Sequence, residues 1–125
     1  MSSTIDKSAI VVFSDPKNGG DEALGRLFNA LGAAYDYKQA GAEVQIIFQG
    51  AGTRWPAELQ QENHPAHTLY NEVADAVQGI SCGCADVFGA EPSGLDLITN
   101  NPLPGTPGIS SFVALRNEGF EVLTF

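Results

Sequence analysis

Cys82-Gly83-Cys84 holds the only two cysteines of the chain. They follow an apolar stretch ending at Ile80, and a helix start is expected just beyond them at Ala85-Asp86. A thiol between a strand and a helix is placed for nucleophilic chemistry. The thiolate is the reactive species, and unpaired backbone N–H groups at a helix start favour negative charge. Cys84, directly before the helix, is the first candidate, with Cys82 beside it. Other readings of the pair stay open. Both thiols can serve as small buried hydrophobes. They can also join His64 and His67, three residues apart on one helical stretch, in an N2S2 set suited to zinc, although this is not a standard finger spacing. A Cys82–Cys84 disulfide would close a small, strained ring.

The elements that must position these thiols are read from apolar periodicity. Ser8–Ser14 is a continuous apolar run, as a strand buried on both faces requires. Asp15–Gly20 is a turn-rich loop, and Asp21 is the expected N-cap of a long helix. Leu24, Leu27, Phe28, Leu31, Ala34 and Tyr35 line one face of that helix, which stops near Gly41. Val44–Phe48 is the second strand, followed by a loop over Gly50–Pro56. Pro65 opens a second helix with Leu69, Tyr70, Val73 and Val77 on its apolar face, stopped by Gly79. Ile80–Cys84 is the third strand and Ala85–Gly89 a helical turn. Glu91–Gly108 reads as a loop rich in proline and glycine, with a fourth strand possible at Leu95–Thr99. A last helix over Ile109–Arg116 stops near Gly119, and Phe120–Phe125 closes the chain as a strand.

Strands alternating with helices predict an α/β fold: one three-layer domain over residues 1–125 with a mainly parallel sheet of about five strands. In such folds ligands gather at the carboxyl ends of the strands. Three loops meet there, bringing Asp15, Gly50, Gly52, Arg54 and Trp55 to the edge that carries Cys82 and Cys84. Arg54 would add positive charge if its loop folds over, and Trp55 would act as a lid or interface anchor. Gly19-Gly20-Asp21 opens a helix, but neither a P-loop nor a dinucleotide fingerprint is present, so turn glycines are the better reading.

Fifteen Asp and Glu against six Lys and Arg leave a formal net charge of −9. That balance argues against nucleic acid and against an anionic membrane surface as partners. Residues Met1–Lys7 lack a basic stretch followed by an apolar one, so no signal peptide is expected, and no apolar run approaches the length of a membrane span. A cytoplasmic protein with reduced thiols and no cofactor is the expectation.

Cys84-Ala85-Asp86-Val87-Phe88-Gly89 after the third strand, Phe48-Gln49-Gly50 after the second, and the closing Glu121–Phe125 together resemble the DsrE/DsrF-like family. The resemblance covers nearly the whole chain. That family typically carries a cysteine, a short apolar segment and then Arg-Gly at this place. Cys84 and Gly89 match; Phe88 stands at the arginine position, and Ser81 at the common upstream cysteine position. The resemblance implies a DsrE-like fold and a homo-oligomer, trimeric or hexameric, with the cysteine near subunit contacts. It also implies a sulfur carrier exchanging persulfide sulfur with donor and acceptor proteins, Cys84 being the acceptor and Cys82 a resolving neighbour. The alternative is a non-catalytic module of the same fold that binds a small ligand or a protein.

Overall fold

Continuous apolar runs become the centre of a parallel sheet in the computed structural model, which describes residues 6–99 and 101–125. In chain order the elements are β1 (Lys7–Val12), α1 (Gly20–Gln39), β2 (Glu43–Phe48), α2 (Trp55–Leu59), α3 (His67–Val73), β3 (Val77–Ser81) and α4 (Cys82–Phe88). Then come β4 (Leu97–Ile98), β5 (Asn101–Leu103), β6 (Thr106–Ile109), α5 (Phe112–Asn117) and β7 (Glu121–Thr124). Short 3-10 turns over Gly50–Arg54 and Ala74–Ala76 lead into α2 and β3. The sheet order is β4-β3-β2-β1-β7 and every pairing in it is parallel. A separate antiparallel hairpin joins β5 and β6. The five-stranded parallel α/β architecture expected from the sequence is the one present.

Side chains of a strand alternate between the two faces of the sheet. Ile10, Val12, Ile46 and Phe48 face one side and form the main core with Leu27 and Leu31 of α1, Leu59 of α2 and Val73 of α3. Ala9, Val11 and Ile47 face the other side, under Leu115 of α5 and Phe120. Leu27, Leu31, Phe48 and Ile80 are fully buried. Each such side chain contributes about 1.5–3 kcal/mol relative to exposure. No helix among the described residues is long and apolar enough to cross a membrane.

Several local expectations change, among them the last helix, which starts at Phe112 because Ile109 ends β6. Asp21 does not cap α1; Gly19 occupies the N-cap without a side-chain bond, and Asp21 and Glu22 sit in the first turn, where their charge complements the helix dipole. Gly79 does not stop a helix. It lies inside β3 at φ +147, where a Cβ would collide with the Asp96 carbonyl, the group that accepts the Ile80 N–H at 3.0 Å. The third strand therefore begins at Val77 and ends at Ser81, which puts both cysteines on α4 rather than on a strand. The second helix is shorter than expected, running from His67 to Val73 before the 3-10 turn. Finally, the presumed loop over Glu91–Gly108 holds most of a hairpin, turned at Pro104-Gly105 with Gly105 at φ +82.

Candidate functional site

The carboxyl edge of the sheet is built by three strand ends. β3 passes directly into α4, with Ser81 extended as N-cap and Gly89 ending the helix in the left-handed region at φ 64. The Gly89 N–H returns to Asp86 O at 3.4 Å and the Ala90 N–H to Ala85 O at 2.9 Å, which closes the last turn. Ala85 points into the main core. Its burial fixes the helix rotation and turns Val87 outward, where it is 73% exposed, beside a half-exposed Phe88.

Cys84, a partly exposed residue, carries a free thiol on this helix. Cys82 opens the helix; its side chain lies outside the described residues. Gly83 between them is a packing requirement. A Cβ there would collide with Thr106 Oγ1 and lie 2.7 Å from the Gly108 carbonyl oxygen. The β6 strand therefore lies directly on the start of α4. Ser81 Oγ adds a bond, donating to that same Gly108 carbonyl at 3.3 Å.

Arg54 does fold over toward α4, but it meets the end of the helix, about one turn from Cys84. Its Nε donates to the Phe88 carbonyl at 3.3 Å, and its guanidinium stacks 5.4 Å from the Phe88 ring centroid. Its other side pairs with Asp15, with Nη1 3.0 Å from Oδ1. Asp15 is a hub rather than an open ligand: its carboxylate also accepts from the Lys17 N–H at 2.9 Å and from Asn18 Nδ2 at 3.0 Å. Partial burial pushes its pKa up, but these three donors and the Arg54 charge outweigh that and hold it below the usual 3.8.

Trp55 is a correction to the expected lid. It is 2% exposed, its Nε1 donates to the Ser14 carbonyl at 2.8 Å, and its ring meets His64 edge-on at 6.1 Å. A buried indole must satisfy its N–H, and the loop after β1 supplies the acceptor. Gly50 and Gly52, expected to line a ligand site, shape the backbone instead. Gly50 adopts φ +60, and a Cβ on Gly52 would collide with the Val12 carbonyl. Both let the 3-10 turn lie flat on the end of β1. The hollow at the start of α1 contains Asp15 and Glu22, and its cation, Arg26, already pairs with Glu22 at 2.8 Å. That lining does not suit a phosphate.

Both histidines of the zinc reading are hydrogen-bonded within the protein. His64 Nδ1 accepts the Ala66 N–H at 3.0 Å. His67 Nδ1 donates to the Leu59 carbonyl at 2.8 Å, which fixes the tautomer and leaves Nε2 to accept from Asn71 at 3.0 Å. No cluster of three or more potential metal ligands forms among the described residues.

Two participants escape a sequence reading. Gln49, just after β2, is 6% exposed, and its Oε1 accepts both the N–H and the hydroxyl of buried Ser110. The β5–β6 hairpin forms one wall of the edge. Its signal was present in Pro104-Gly105 between two short stretches compatible with strands.

No family model matches the chain. A stretch of 63 residues, 50% of the chain, is 33% identical to Uncharacterized protein MJ0733 of Methanocaldococcus jannaschii, and it spans about half of that relative's length. Among solved structures, the ychN protein from E. coli superposes with a TM-score of 0.52 at 18% identity, over 95% of this chain and 99% of that one. At that identity the likeness is one of fold, and it agrees with the DsrE-like architecture.

Proposed function

We propose that this protein is a DsrE-like sulfur carrier of the cytoplasm in which Cys84 accepts a persulfide sulfur. The observation that carries the reading is the free thiol of Cys84, a partly exposed residue held at the carboxyl edge of a parallel sheet on a helix clamped from both ends. A free thiol on a partly exposed residue is open to a donor, and a clamped helix presents it in one orientation.

The step is a thiol exchange. The Cys84 thiolate attacks the terminal sulfur of a donor persulfide, R–S–SH. A new S–S bond forms on Cys84, the donor S–S bond breaks, and the donor leaves as its thiolate, which takes up a proton. Delivery is the same exchange in reverse, with an acceptor thiolate as attacker. Cys82, at the start of the same helix, is the nearest thiol in sequence and the one proposed to resolve the persulfide. The working unit is a homo-oligomer, trimeric or hexameric. The exposed Val87 and Phe88 on the Cys84 helix supply the apolar surface for such a contact. Donor and acceptor are proteins or small thiols rather than nucleic acid, given the net charge of −9.

Delivery tests the reading. Protein loaded with isotopically labelled inorganic polysulfide, desalted and then mixed with glutathione, should pass its label to glutathione and regain a free Cys84. Label that never enters the protein, or that stays on it, removes the carrier role.

A further inference from the structure

We infer that the chain holds a small-molecule site separate from the Cys84 thiol: a cavity of about 520 Å³ where the end of β2, the β6 strand and the start of α5 meet, which takes an uncharged, largely apolar ligand through one acceptor oxygen. The volume lies within the usual range for small-ligand pockets. Ile109, Phe112 and Val113 give it apolar walls, and Gln49, Asn101 and Ser110 add a few polar groups.

Gln49 identifies the chemistry. It lines the cavity and is 6% exposed. The Ser110 backbone N–H, 3.3 Å away, can only donate, so the atom facing it must be the amide oxygen Oε1. The Ser110 hydroxyl donates to the same oxygen. This fixes the amide orientation and leaves the Nε2 amino group without a protein acceptor among the described residues. That amino group belongs to a residue lining the cavity, and it is free to donate to a ligand oxygen. Among the described residues, no charged side chain lines the cavity. An ion would therefore be buried without a counter-charge, which selects a neutral ligand.

The cavity is distinct from the thiol site, although the two share a wall. Successive residues of a strand face opposite ways. In β6, Gly108 abuts Gly83 of α4, whereas Ile109 lines the cavity.

Acetophenone, with its ring and one carbonyl, is a suitable probe, and ethylbenzene is its counterpart without the oxygen. In amide NMR spectra of isotopically labelled protein, acetophenone should saturably shift the Gln49 side-chain amide and the backbone amides of Ser110, Phe112 and Val113, and ethylbenzene should bind more weakly. Gln49→Met keeps the length and removes the donor; it should weaken acetophenone about five- to tenfold and leave ethylbenzene unchanged. Val113→Glu, at a position 70% exposed, should abolish binding of both without unfolding the protein. The inference is overturned if neither probe shifts these residues, if the two bind equally, or if acetophenone binding survives either substitution unchanged.

Discussion

Arg54 is legible in the sequence only as a cation near the edge; its role is visible only in three dimensions. It bridges Asp15 after β1 and the carbonyl of Phe88 at the end of α4, and so ties two strand-end loops to the Cys84 helix. Both side chains of the ion pair are about three-quarters buried, which lifts the pair above an exposed one. Arg54→Met should cost about 1–2 kcal/mol, from the ion pair, the carbonyl bond and the stack on Phe88 together, measured by urea unfolding. A loss below a few tenths would show that the clamp carries no stability. Asp15 adds a dependence on pH. Its folded pKa is lowered, so its charge favours the native state above the ordinary 3.8, and that contribution is lost as pH falls through the lowered value. Asp75, lowered chiefly by its bond from Lys38, adds to the same acid limb. Asp15→Asn should flatten the fall in stability below pH 3.8; an unchanged acid limb would count against the assignment. The two thiols are legible as candidates from their position alone, whereas the burial of Trp55 is not, because it depends on a Ser14 acceptor that is distant in sequence.

Among elements, the sheet was readable and the edge furniture was not. β1 and the second half of β2, Ile46–Phe48, are buried on both faces and therefore appear as continuous apolar runs. β3 was displaced because Gly79 normally signals a stop; here its positive φ and the close approach of Asp96 allow the strand to run through it. The hairpin was hidden by its composition, since proline and glycine argue against strands unless the long-range partner is known. That partner is α4, and Gly83 is the contact point. Gly83→Ala would push a methyl group into Thr106 and the Gly108 carbonyl. It should cost about 1–3 kcal/mol and speed hydrogen exchange across residues 101–109, with little change in β1 or β2. Unchanged exchange in the hairpin would show that β6 does not rest on the helix.

At the scale of the whole molecule, the parallel order β4-β3-β2-β1-β7 follows from strands alternating with helices. Assembly is the less legible property, because an exposed apolar residue becomes recognisable only when its neighbours are placed. Val87, 73% exposed beside Phe88, is the surface on which the proposed oligomer depends. Sedimentation velocity should find a trimer or hexamer for the native chain and a monomer for Val87→Glu. The oligomer should tighten as salt screens the mutual repulsion of chains carrying −9 each. A monomer at all salt concentrations would remove the assembly from the account.

The central claim is that Cys84 is the sulfur acceptor, and intact-mass spectrometry tests it most directly. After treatment with inorganic polysulfide under non-reducing conditions, the native chain and Cys82→Ser should each gain one sulfur atom, removable by dithiothreitol, and Cys84→Ser should gain none. Equal loading of Cys84→Ser, or no loading of the native chain, would contradict the account.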